Sequence, residues 1–102
     1  MNVKLIMHWD IKPNLDQEYF EFVVREWVPA TTRLGLRTVA AWFTVYSHEE
    51  SPRIMAEALA DDLETMRQIL KHPEWHAIYE RLLEYVENYS QKVVYVTGDF
   101  QL

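Results

Sequence analysis

Two groups of titratable residues have spacings that could support chemistry, and the first joins a histidine, a carboxylate and several aromatic rings. His8 and Glu57 lie in separate alternating segments, which are neighbouring strands in the fold derived below. A carboxylate beside a histidine orients the imidazole and raises its basicity, as a general base requires. The same residues could instead form a polar network in a protein interface, since buried polar groups need partners. The predicted ligand-binding residues are His8, Trp42, Thr44, Tyr46 and Glu57.

The second group is His72, His76 and Glu80, which are spaced four residues apart. This spacing places side chains on one face of a helix, as a metal site needs. Pro73 separates the two histidines, however, and the zinc-protease pattern requires a glutamate directly after the first histidine. The pattern therefore indicates a solvated helix start, and we expect neither a metal site nor a cofactor.

Composition excludes several classes of function. The chain has 102 residues, a formal net charge of −6 and no cysteine, so disulfides and thiolate chemistry are absent. Without a basic patch the sequence lacks the electrostatic footprint of nucleic-acid binding. The longest uninterrupted apolar run, residues 39–43, is too short to cross a bilayer, and residues 1–4 do not begin a signal peptide. We expect one cytoplasmic domain over residues 1–102, with no membrane partner.

Hydrophobic periodicity predicts the elements that must position these groups. Residues 3–12 alternate as a half-buried strand, and an amphipathic helix capped by Asn14 follows. Pro29 predicts a kink near residues 25–27, and the helix is expected to end before Gly35. Residues 37–46 and 53–60 form a predicted hairpin. Later helices are expected from Asp61 or Asp62 to about residue 71, and from Pro73 onward. Residues 92–97 form the last predicted strand.

The predicted hairpin register pairs apolar residues with one another along one face. A one-residue slip would mix the two faces, so the alternation favours this pairing. The expected pairs are Val45 with Ile54, Phe43 with Ala56, Ala41 with Ala58 and Val39 with Ala60, and Trp42 then lies opposite Glu57.

Strand, helix, hairpin, helix and strand form the split β-α-β arrangement, so the predicted fold is α+β and ferredoxin-like, βαββαβ. We expect a four-stranded antiparallel sheet of order 4-1-3-2 with both helices on one face. The other face, here called the open face, carries Ile6, Trp42 and Met55 besides its polar residues. Such a surface is too apolar to stay in water, which predicts a homodimer.

The order of elements resembles the dimeric α/β-barrel superfamily, in which two such sheets stack face to face. The segments similar to its antibiotic-biosynthesis-monooxygenase-like and NIPSNAP-like branches are Lys12-Pro13-Asn14 and Lys71-His72-Pro73-Glu74-Trp75. The resemblance implies that oxygenase members use the cleft between sheet and helices. In the haem-degrading type, the Asn, Trp and His of that cleft would correspond to Met7, Ile69 and Tyr79, and none matches. A haem or quinol oxygenase of the known type is therefore not expected.

The same cleft is expected to be a packed core. Its predicted members are the apolar residues Met7, Trp9, Trp27, Phe43, Ile69 and Trp75.

Two functions stay open at the level of sequence. The first is a homodimer that binds a small, partly apolar molecule and could act as a cofactor-free enzyme. The alternative is a non-catalytic homodimeric interaction or regulatory module. A cavity with converging polar groups would favour the first, and a completely filled core and interface the second.

Overall fold

A computed structural model describes residues 2–44 and 53–96 of the protein, with side chains described outside residues 40–44. In chain order the elements are β1 (Val3–Ile11), α1 (Asp16–Phe22), a π-helical turn (Val23–Trp27), α2 (Val28–Leu34), β2 (Arg37–Thr44), β3 (Arg53–Ala60), α3 (Leu63–Lys71), α4 (Pro73–Leu82) and β4 (Val86–Tyr95).

The four strands form one antiparallel sheet in the order β2-β3-β1-β4, which is the predicted order 4-1-3-2 read from the other edge. The ferredoxin-like fold is therefore confirmed. Every second residue of β1 and β3 is buried against the helices, and the residues between them are half-buried on the open face. The inward residues of β1 are Val3, Leu5, Met7, Trp9 and Ile11, none more than 3% exposed.

Pro29 causes the irregularity that the sequence predicted in the first helical segment. Proline has no N–H to donate, and its ring would collide with the carbonyl group four residues earlier, that of Arg25. The backbone widens into a π-helical turn at Val23–Trp27, and α2 then continues to Leu34. Gly35 ends α2 with φ of 103°, a conformation that glycine adopts without a steric penalty.

The second helical segment is broken where the sequence indicated. The Asp62 side chain caps α3 by accepting a hydrogen bond from the Thr65 N–H at 2.7 Å. α3 ends at Lys71, and Pro73 begins α4. His72 caps α4, because its Nδ1 accepts the Glu74 N–H at 2.9 Å. Asn14 was expected to cap α1, and this is wrong: Leu15 holds that position without a side-chain hydrogen bond.

The hairpin register differs from the prediction by two residues. Phe43 pairs with Ile54 instead of Ala56, and Trp42 lies opposite Met55 instead of Glu57. Both registers place apolar residues opposite apolar ones, so alternation alone cannot distinguish a shift of two. Val39 is the extra residue of a β-bulge and is 48% exposed, although the sequence predicted that it faces the helices.

β4 begins at Val86, six residues before its predicted start at residue 92. In the sequence Val86 continues the apolar spacing of the last helix, four residues after Leu82, yet it pairs with Ile11 in the sheet. β4 carries two residues, Asn88 and Tyr89, opposite the single residue Trp9 of β1. Asn88 accommodates this bulge with φ of 59°. The bulge interrupts the alternation, which is why the pattern concealed the first half of the strand.

Candidate functional site

The open face holds the described part of the predicted ligand-binding group. His8 lies opposite Met55, and Glu57 lies opposite Ile6. The Glu57 carboxylate forms an ion pair with Lys4 at 3.0 Å, and both side chains are largely covered. Among the residues that the structure describes, no hydrogen bond or ion pair joins His8 to Glu57. His8 and Glu57 therefore do not form the hydrogen-bonded pair that a carboxylate-oriented general base requires in the described part of the chain.

Trp42 and Thr44 share this face by register, because they pair with Met55 and Arg53. Tyr46, the fifth residue of the predicted group, lies outside the described residues. The sheet thus brings four of the five predicted residues to one face, and their role as ligand-binding residues stays a prediction.

A second ionic cluster occupies the end of the open face. Arg53 Nε donates to Asp10 Oδ1 at 2.9 Å, and Asn88 Nδ2 donates to Asp10 Oδ2 at 2.9 Å. The hydrogen bond from Arg53 is the main reason that the pKa of Asp10 lies below its ordinary value. Asn88 and the charge of Arg53 lower this pKa further, while partial burial opposes them. The carboxylates of Asp10 and Glu57 are thus both neutralised by cations of the same chain.

The opposite side of the sheet contains a cavity of about 100 Å³. It lies between the sheet and the segment formed by α1, the π-helical turn and α2. The cleft between the sheet and the helices was expected to be a packed core, and this is wrong at the end that holds the cavity. Val28 and Thr38 line the cavity and are exposed, which places its mouth between α2 and β2. The remaining wall is formed mainly by Met7, Trp9, Tyr19, Val23, Trp27, Thr31, Leu36, Ile54, Ala56 and Ala58.

Five aromatic side chains form a closed cluster beside this cavity. Each ring contacts the next, with centroid separations between 4.9 and 6.3 Å, and the last returns to the first. Trp9 belongs to both the cavity wall and the aromatic cluster, since it lines the cavity and stacks on Tyr89 with an interplanar angle of 8°. Such contacts add to the burial energy and restrict ring orientation. The members of the aromatic cluster are Trp9, Trp27, Trp75, Tyr79 and Tyr89.

Besides the exposed Thr38 at the mouth, two buried hydroxyl groups interrupt the apolar wall of the cavity. The Tyr19 hydroxyl accepts a hydrogen bond from Trp9 Nε1 at 2.9 Å, and burial raises the pKa of Tyr19 to about 12. The Thr31 hydroxyl donates to the backbone carbonyl of Trp27 at 2.9 Å, with a longer contact of 3.2 Å to that of Val28. Tyr19 therefore stays a neutral phenol at physiological pH.

The sequence analysis did not single out Tyr19. It lay on the predicted apolar stripe of α1, and Trp9 on the inward face of β1. One signal was present, because tyrosine and tryptophan each carry one polar group that needs a partner when buried. Two such residues on surfaces predicted to touch indicate a shared hydrogen bond, which the structure contains.

No group of three or more histidines or carboxylates close enough to hold a metal ion occurs in residues 2–44 and 53–96. His72 Nδ1 is occupied by the Glu74 N–H, and His76 is exposed on α4. In the same part of the chain, no helix has the length and apolar character to cross a membrane.

Comparisons with known proteins identify the fold. No family model matches the sequence, and no curated protein matches it. Among solved structures, a NIPSNAP-like domain protein from Burkholderia xenovorans is 16% identical, covering 96% of this chain and 87% of its own, with a TM-score of 0.70. SnoaB, a cofactor-independent oxygenase from Streptomyces nogalater, is 12% identical over 99% of this chain and 98% of its own, with a TM-score of 0.67.

A third structure is described as a dimeric protein of unknown function and ferredoxin-like fold from Bacteroides fragilis. It is 18% identical, covers 93% of this chain and 96% of its own, and has a TM-score of 0.62. Together these likenesses confirm that the chain shares the fold of the NIPSNAP-like and oxygenase proteins that it was predicted to resemble.

Proposed function

We propose that the protein binds a small, largely apolar molecule in the cavity between the sheet and α1–α2. The observation that carries this proposal is an apolar and aromatic enclosure interrupted by a few hydroxyl groups, the usual composition of a small-molecule site. An apolar cavity of roughly 150 Å³ accommodates benzene. The cavity here is about 100 Å³. A ligand as large as one six-membered ring would therefore fill the cavity and extend into its mouth beside Val28.

The described walls favour binding over proton transfer. Tyr19 and Glu57 are the two titratable residues of the wall, and the Glu57 carboxylate is paired with Lys4 on the open face. A phenol that stays protonated is a poor general base. If the protein is an enzyme, its cavity contributes orientation and exclusion of water. The oxygenase activity of SnoaB is a property of that protein, and the shared fold makes cofactor-free chemistry a reasonable activity to test here.

Benzene is a suitable probe for the cavity, because it is flat, apolar and lacks hydrogen-bonding groups. In wild-type protein, benzene is expected to shift the ¹H–¹⁵N indole resonances of Trp9 and Trp27 saturably, since both rings line the cavity. Ala58→Leu adds three carbon atoms to the cavity wall and should abolish the shifts. Ala77→Leu makes the same change on the exposed surface of α4 and should leave them intact. Equal shifts in both variants would place benzene elsewhere and overturn the proposal.

A second proposal concerns the open face, which we infer packs on a second copy of the chain. Ile6, Met55 and Leu59 are already half-buried there, and a partner sheet would cover them further. The charges of Glu57 and Asp10 are paired within the chain, so covering these two carboxylates leaves neither without a cation. His8 and Glu57, together with Trp42 and Thr44 that share their face by register, would then lie between the two sheets.

This dimer is also the basis of the alternative function, a non-catalytic homodimeric module. The Bacteroides fragilis structure of the same fold is itself described as dimeric. Sedimentation velocity at micromolar concentration is expected to give the mass of a dimer. A monomer under these conditions would contradict both the interface and the module.

A further inference from the structure

Two buried hydroxyl groups of the cavity wall, those of Thr31 and Tyr19, differ in the hydrogen bonds that they make. Thr31 has a single hydroxyl hydrogen, and it is directed to the backbone carbonyls of Trp27 and Val28. Thr31 therefore presents only acceptor lone pairs to the cavity. Tyr19 has the opposite character, because its oxygen already accepts the indole N–H of Trp9. Its own hydrogen has no acceptor among the described residues.

The Tyr19 donor is held in place by its neighbours. Its side chain is 3% exposed, and Trp9, which fixes the hydroxyl oxygen, is 2% exposed. Trp9 is itself held between Tyr89, on which it stacks, and Trp27, which meets it edge-on. A donor restrained in this way loses little conformational freedom when a ligand binds, which favours specificity.

The charge of the cavity wall restricts the acceptor that could meet this donor. No Lys or Arg lines the described wall, so an anionic ligand would lose its hydration without gaining a counter-charge. A hydrocarbon would leave the Tyr19 hydrogen buried and unpaired, which also weakens binding. A neutral oxygen acceptor avoids both penalties.

We propose that Tyr19 is a specificity-determining residue that selects neutral ligands carrying a hydrogen-bond-accepting oxygen, such as a carbonyl or ether. The proposal rests on the proposed function of the cavity as a binding site. The chemical class of the ligand follows: a small, mostly apolar and uncharged molecule with one oxygen placed against the Tyr19 hydroxyl.

The high pKa of Tyr19 supports this role without being its basis. Since burial raises the pKa to about 12, the phenol keeps its hydrogen across the physiological range. The selectivity for an acceptor should consequently be the same at pH 6 and pH 9.

The test uses two probes of the same shape, cyclohexanone and methylenecyclohexane, which differ by an oxygen in place of a CH₂ group. Wild-type protein is expected to bind the ketone about tenfold more tightly, the effect of one net hydrogen bond. Tyr19→Phe removes the donor with little change of shape and should abolish the preference for the ketone, because the carbonyl oxygen then loses its hydration without gaining a hydrogen bond. Tyr85→Phe makes the same change in a half-buried tyrosine that does not line the described cavity, and should keep the tenfold preference.

The Trp9 indole resonance provides a second measurement on the wild-type protein. When Tyr19 donates to a ligand, its oxygen becomes a stronger acceptor, so the Trp9 N–H resonance should move further downfield with the ketone than with the alkene. Equal affinities and equal shifts for both probes would overturn the role of Tyr19 while leaving the cavity as a site. Failure of both probes and of benzene to bind would overturn the binding site itself, and the inference with it.

Discussion

Polar side chains are paired differently on the two faces of the sheet. On the helix-covered face, Trp9 and Tyr19 share one neutral hydrogen bond inside a predominantly apolar wall. On the open face, Glu57 and Asp10 are each matched to a cation of the same chain. Both faces use the same strand, β1, whose successive side chains point to opposite sides.

The difference matches the separate roles proposed for the two surfaces. A predominantly apolar wall with a buried hydroxyl donor suits recognition of an uncharged molecule. The Glu57 and Asp10 carboxylates of the open face are already neutralised, which suits coverage by another protein, because neither charge is then left isolated. His8 and Glu57, which the sequence indicated as a possible general base, lie on the open face. The cavity lies on the helix-covered face.

The strongest test of the helix-covered face is Trp9→Ala. This change removes a ring that joins the aromatic cluster to the cavity wall, and leaves the Tyr19 hydroxyl without its donor. Loss of a buried tryptophan is expected to lower the free energy of unfolding by about 3–5 kcal/mol, measured by urea denaturation.

The matched control is Ile6→Ala on the same strand. Ile6 is half-buried on the open face, so the expected loss is about 1 kcal/mol at a concentration where the protein is monomeric. If Trp9→Ala cost no more than Ile6→Ala, the aromatic cluster would not be the centre of the core.

The open face is best tested by Glu57→Gln, which preserves shape and removes the charge that pairs with Lys4. If a second copy covers this pair, the unpaired ammonium group makes association less favourable. The dimer dissociation constant should rise by about tenfold or more, equivalent to about 1.4 kcal/mol, as measured by sedimentation equilibrium.

Asp61→Asn supplies the comparison, because it breaks an ion pair with Arg37 of similar length, 2.9 Å, in which both side chains are more than half exposed. Exposed pairs contribute little, so neither dimer affinity nor stability should change by more than about 0.5 kcal/mol. An unchanged dissociation constant for Glu57→Gln would remove the open face as the interface.

The effect expected for Asp10→Asn is smaller than that for Trp9→Ala or Glu57→Gln, and it depends on pH. The pKa of Asp10 is lowered in the folded protein, so its ionised form stabilises the fold at pH values above about 4. This contribution is lost as the pH falls through the folded-state pKa. Because Arg53 is 45% exposed, we expect the variant to be less stable by only about 0.5–1 kcal/mol at pH 7. Urea titrations should show this difference shrinking below pH 4, and a difference independent of pH would contradict the ionic origin.

Much of the fold follows from local sequence signals. The alternation of β1 specified its buried face, and Pro73 specified the break between α3 and α4 together with the capping role of His72. These features depend on residues close together in the chain, where steric and hydrogen-bonding rules act directly.

Features that depend on distant pairing were less predictable. Phe43 fits opposite either Ala56 or Ile54, so the hairpin register could not be fixed by polarity alone. Asn88 begins a bulge that hides the start of β4. The cavity could not be foreseen, because it depends on how closely Val23 and Val28 approach the sheet rather than on their identity.

The π-helical turn relates the room in the cavity to the number of residues in the first helical segment. Phe22 and Trp27 are both buried and lie five residues apart, whereas a regular helix returns to the same face after three or four. The turn therefore corresponds to one inserted residue, and residues on both sides of it still face the sheet. Among proteins of this fold, a difference of a single residue in the first helical segment is accordingly a change that can alter the room for a ligand while leaving the sheet untouched.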